Sequence, residues 1–79
     1  MQTIKIKTYD GKNIFIEQAI NSKNDVLKVI ETLKKYISGL RSDLMNERLI
    51  YQRESREIEL INAINYYDSI VESLNKKAN

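Results

Sequence analysis

At 79 residues the chain is sized for a single domain over 1–79, near the lower limit at which one chain buries enough apolar surface to be stable alone, so a partner subunit is expected. Its 42 % hydrophobic and 30 % charged content is that of an ordinary globular protein, and a net charge of +2 is too small to mark a nucleic-acid-binding domain by itself. The lack of Cys and His excludes disulfides, thiolate chemistry and the usual zinc and copper ligands, so no metal or cofactor is expected.

The chain opens with Thr3-Ile4-Lys5-Ile6-Lys7-Thr8, which alternates apolar and polar, and Asn13-Ile14-Phe15-Ile16-Glu17 nearly repeats the pattern after Tyr9-Asp10-Gly11-Lys12. Period-two alternation on both sides of a turn signal predicts a β-hairpin over 3–17. A three-residue loop, Tyr9-Asp10-Gly11 with Gly11 left-handed, pairs Ile4 with Ile16 and Ile6 with Ile14. One face is then all isoleucine, while Lys5, Lys7, Phe15 and Glu17 share the other.

Ser22-Lys23-Asn24-Asp25 has the form of a capping box, and Val26, Val29, Ile30, Leu33, Tyr36, Ile37 and Leu40 follow at alternating three and four spacing. This predicts a helix over 23–38 packed on the isoleucine face. Ser38-Gly39 is the breaker signal after the hairpin and Ser42-Asp43 offers a new cap, which places the helix–helix turn at 39–42; a continuous bent helix is the alternative.

From Leu40 to Lys77 there is neither glycine nor proline, so a long helix is predicted over 42–76, about 50 Å at 1.5 Å per residue. Leu60, Ala63, Ile64, Tyr67, Ile70, Val71 and Leu74 make one stripe on it, extended by Met45 and Leu49. Ile50, Tyr51, Ile58 and Ile61 make a second, well rotated from the first. A helix apolar on two faces has two things to pack against, and for so small a chain the second is a copy of itself. The fold class expected is therefore α+β: an N-terminal β-hairpin followed by two helices, the second long and mediating oligomerisation.

The opening resembles the first hairpin and helix of the ubiquitin family, through Met1-Gln2, Lys7-Thr8, Gly11-Lys12, Ile14, Glu17, Val26 and Ile30. The likeness covers about the first thirty residues. The family's fold implies further strands over 45–75, for which only Arg48-Leu49-Ile50-Tyr51 is a loose match, and the C-terminal Gly-Gly needed for conjugation is replaced by Lys76-Lys77-Ala78-Asn79. No function is carried over.

The charge is unevenly placed. Residues 1–40 hold seven Lys against four acids, whereas residues 41–79 hold four Arg and two Lys against seven acids. Arg48, Gln52, Arg53 and Arg56 interrupt the apolar face of the long helix and form a candidate partner or anion surface, since guanidinium forks suit bidentate recognition. The plainer reading pairs Arg41, Arg48, Arg53 and Arg56 with Glu47, Glu54, Glu57 and Glu59 at helical spacing. Lys5, Lys7 and Lys12 form a candidate basic surface on the hairpin, which with Phe15 and Tyr9 has the basic and aromatic make-up of a nucleic-acid binder; edge protection explains strand lysines equally well. Glu54 and Glu57 sit one turn apart but have no His or second motif beside them, so no enzyme is expected.

The functional expectation is a small non-enzymatic, homo-oligomeric interaction protein that binds and modulates, or inhibits, another protein, with Ile50, Tyr51, Ile58 and Ile61 as the oligomer interface. Its Asn-, Ile- and Lys-rich usage suits an AT-rich bacterial, phage or mobile-element genome. Two alternatives are a nucleic-acid-binding regulator using the Lys-rich hairpin face, and a binder of an anionic small molecule at an Arg-lined subunit interface. With no window apolar over the roughly 18 residues a span requires and no apolar core of a signal peptide at the N-terminus, no membrane association and a cytoplasmic location are expected.

Overall fold

A computed structural model describes residues 2–78, and its order is two strands and then two helices, an α+β arrangement. Strands β1 (Gln2–Lys7) and β2 (Ile14–Ile20) form an antiparallel two-stranded sheet. Helix α1 (Lys23–Asn46) passes through a π-helical turn at Glu47–Tyr51, and helix α2 (Glu54–Ala78) runs back along it. The molecule is elongated, 45 × 24 × 15 Å. Among the described residues no helix is long and apolar enough to cross a membrane.

The hairpin register differs from the one expected. Ile6 faces Ile16, Lys5 faces Glu17, Ile4 faces Gln18, and Lys7 faces Ile14, with a bulge between Ile6 and Lys7. The loop is longer than three residues: the Thr8 N–H donates to the Asn13 carbonyl at 2.9 Å and the Gly11 N–H to the Thr8 carbonyl at 2.8 Å. Gly11 is left-handed as expected, at φ 75°.

The bulge carries a correction. It opposes one residue of β1 with two of β2, so the alternation reverses beyond Ile16. Ile14 swings out and is 54 % exposed, while Phe15 turns in. Phe15 packs edge to face on Tyr36 at 4.6 Å and on Tyr67 at 5.6 Å between ring centroids. The inner face is thus Ile4, Ile6, Phe15, Ile16 and Ile20, in place of the isoleucine set with Ile14, and Phe15 does not share the outer face with the lysines. A Phe buries more apolar area than an Ile, and edge-to-face ring contacts add to that.

Helix α1 starts where its cap places it. The Asp25 carboxylate accepts the Ser22 N–H at 3.3 Å and the Asn21 N–H at 2.8 Å, satisfying donors the first turn cannot. It does not stop at 38. Gly39 lies inside it with nothing within 4 Å of where a Cβ would stand, and Ser42-Asp43 is helical interior. The turn predicted at 39–42 and the helix predicted over 42–76 are both displaced: the break falls at Gln52, whose φ of 54° and ψ of 38° are left-handed, and α2 begins at Glu54. One helical Gly costs only about 1 kcal/mol, which packing of the flanking stripe on both sides offsets.

The core lies between the sheet and the helix pair. Ile6, Val29, Ile30, Leu33 and Ile37 are buried against Ala63, Ile64, Tyr67, Val71 and Leu74, with Ile4, Ile16, Val26 and Leu40 around them. The stripe predicted on the first helix and the Leu60–Leu74 stripe predicted on the second are therefore packed, whereas Met45 and Leu49, predicted to extend the latter, are exposed. Tyr67 is buried and accepts the Tyr9 N–H at 2.8 Å, whereas Tyr66 on the flank donates to the Lys7 carbonyl at 2.9 Å. These two bonds tie the start of the hairpin loop to the middle of α2.

Candidate functional site

The end of the helix pair around residues 45–61 is where the fold leaves unusual features together. Its turn is held by one buried carboxylate. Glu47 is 3 % exposed, yet its Oε2 accepts the Arg53 backbone N–H and Nε, both at 3.0 Å, and its Oε1 accepts Arg53 Nη2 at 2.8 Å. The Gln52 N–H reaches back to the Glu47 carbonyl, closing the wide π turn. Hydrogen bonds from the Arg53 side chain hold the Glu47 carboxyl below the usual range and outweigh its burial. The same pairing raises Arg53, which stays a cation. The Arg53 guanidinium also lies 5.0 Å from the Tyr51 ring centroid, within cation–π range.

Around this clasp the surface is apolar. Met45, Leu49, Ile50, Tyr51 and Ile58 are 50–71 % exposed. A groove of about 560 Å³ runs between the helices, walled by Leu44, Met45, Leu49, Ile61 and Ile64 with Arg41 and Arg48 among them. Of the four residues expected at an oligomer interface, Ile61 lines this groove, Ile58 stands exposed one turn before it, and Ile50 and Tyr51 sit exposed in the turn. They do not form one stripe on one helix, because the break at Gln52 divides them, but all four lie at the same end of the molecule. Met45 and Leu49, which periodicity assigned to the packed stripe, join them on the exposed side.

Each arginine has a carboxylate beside it. Arg41 meets Asp68 at 3.1 Å, Arg48 meets Glu57 at 2.7 Å, Arg56 meets Glu59 at 2.6 Å, and Arg53 is held by Glu47. Only Arg56 with Glu59 is a pair along one helix; the others cross between helices or across the turn, so helical spacing does not reveal them. Gln52 serves the backbone of the turn. The candidate anion surface of Arg48, Gln52, Arg53 and Arg56 is thus an internally compensated set, two of whose members close the connection between helices.

On the hairpin, Lys5 lies 3.7 Å from Glu17 across the strands, and Lys7 and Lys12 are exposed with it. The aromatic partner a nucleic-acid surface draws on is elsewhere, since Phe15 is turned into the core and Tyr9 stacks edge to face on Tyr66 at 5.7 Å. Among the described residues no group of three or more acidic side chains is placed to hold a metal ion.

Compared with known proteins, the chain matches no family model, no curated protein and no solved structure.

Proposed function

We propose that this chain is a small non-enzymatic interaction protein that acts as a homo-oligomer and binds and modulates a second protein, using the end of the helix pair around residues 45–61. The observation that carries the reading is the amount of apolar surface at that end. At roughly 200 Å² for a large side chain, Met45, Leu49, Ile50, Tyr51 and Ile58 expose on the order of 600 Å². That is at the upper limit of what a monomer leaves uncovered, on one of the smallest of domains, and it approaches the roughly 800 Å² per partner of a standard interface. The polar groups nearby are already paired with one another, so the surface offers shape and apolar contact more than an anion site.

Light scattering across micromolar concentrations tests the self-association. A dimer or larger is expected for the native chain, with a shift to monomer when Leu49→Glu and Ile50→Glu are combined; a native chain that stays at 9.3 kDa overturns it. The second half is tested with lysate of the host: a protein retained by the native chain and lost with the same double variant supports it, and identical retention by both refutes this surface.

A further inference from the structure

We propose that two copies of this chain associate by exchanging α2, with the turn at residues 47–53 opened in each copy. The proposal rests on the self-association proposed above and specifies how it is achieved. Four observations lead to it. First, the connection between the helices is only Gln52 and Arg53, and it is closed by a left-handed residue that is not glycine, at φ 54°. An L side chain in that region is strained, and short strained hinges favour exchange. Second, nothing in the sequence from Leu40 to Ala78 is a helix breaker, so opening the turn costs no local helix propensity.

Third, the inner stripe of α1 continues across the break. Ile30, Ile37 and Leu44 fall at seven-residue intervals and point to the core, and the next two members of the series are Tyr51 and Ile58. The bend strands those two in solvent at 60 % and 50 % exposed. Both flank the hinge, where a second copy can cover them.

Fourth, the packing of the closed chain fixes what they would meet. Arg41 pairs with Asp68, Arg48 with Glu57, and Tyr36 packs on Tyr67, so residues that meet across the helix pair have numbers adding to 103–109. Kept between two chains, this register brings residues 45–58 of one copy, with Tyr51 and Ile58 among them, alongside the same residues of the other. Every α1–α2 contact of the closed chain is recovered between copies, including Arg41 with Asp68. What is lost is the Glu47–Arg53 clasp, which the exchange has to open in both chains. What is gained is burial of the exposed apolar end against its own copy.

The chain has no cysteine, which makes the test direct. Arg41→Cys and Asp68→Cys are introduced together, at exposed side chains whose charged ends are 3.1 Å apart, and joined with a short bis-maleimide reagent at concentrations where light scattering reports the dimer. Exchange places the two thiols on different chains, so covalent dimers are expected on a denaturing gel. Gln52→Ala, which favours helix at the hinge, raises the covalent-dimer fraction several-fold, and Gln52→Gly, which relaxes the closed turn, lowers it. A dimer whose cross-links stay within one chain in all three hinge backgrounds overturns the exchange and leaves self-association standing. A chain that is monomeric in all three overturns both.

Discussion

Glu47 and Arg53 share more hydrogen bonds through a side chain than any other pair among the described residues: a nearly solvent-free carboxylate accepts three from one residue, and that residue begins the return of the chain. With its carboxyl held low in the folded state, Glu47 contributes stability that is complete above the ordinary glutamate range, about pH 4.3, and is lost as pH falls through that range toward the lower folded value. Asp10, held low by the Thr8 hydroxyl and the Lys12 N–H, adds a loss of the same sign. Thermal melts as a function of pH are expected to show Tm falling in acid, with a shallower fall for Glu47→Gln, which is already less stable at neutral pH. An unchanged acid slope in that variant would remove Glu47 from the account.

The left-handed Gln52 makes a separate prediction. Glycine relieves the strain of that conformation, so Gln52→Gly is expected to stabilise the closed chain by up to about 1 kcal/mol in urea titration, although glycine substitutions usually destabilise. Destabilisation of that size would mean the turn does not have this backbone.

Gly39 tests where the helix break lies. It is exposed in the interior of α1 with open space where a Cβ would go, so Gly39→Ala should stabilise by roughly 0.5–1 kcal/mol. A left-handed turn residue at 39 would respond in the opposite direction.

The bulge in the hairpin is checked by two neighbours. Ile14→Ala removes a mostly exposed side chain and should change stability by no more than about 0.5 kcal/mol, whereas Phe15→Ala opens a hole beside Tyr36 and Tyr67 and should cost at least about 2 kcal/mol. The simple hairpin register predicts the reverse order, and denaturant midpoints distinguish the two.

Tyr67 links the hairpin to α2 through its hydroxyl. Tyr67→Phe keeps the ring packing and leaves the Tyr9 N–H without its partner, an expected loss of about 1 kcal/mol. Burial raises the Tyr67 hydroxyl above its usual pKa, against the Tyr9 N–H bond, which lowers it; the buried neutral phenol therefore contributes stability that is present at neutral pH and lost only as pH climbs past the ordinary tyrosine range, about 10. Hydrogen exchange at the Tyr9 amide is the local readout, and no change there in the variant would contradict the bond.

Periodicity and capping by themselves determined the α+β class, the start of α1 at Ser22 and Asp25, and the two buried stripes, because these depend on neighbours within a few residues. Glycine and proline spacing did not locate the helix break. The residues that make it, Glu47 and Arg53, are an unremarkable acid and base in sequence, and only their approach across a π turn makes a non-glycine left-handed residue tolerable at Gln52. The same is true of Phe15: alternation puts it outside, and the bulge, stabilised by rings that arrive from α1 and α2, brings it in. The exposed end of the helix pair belongs to the tertiary structure as well. Ile50, Tyr51, Ile58 and Ile61 were legible as an apolar set without a partner in the chain, but their grouping with Met45 and Leu49 around one groove exists only because the chain turns back at Gln52.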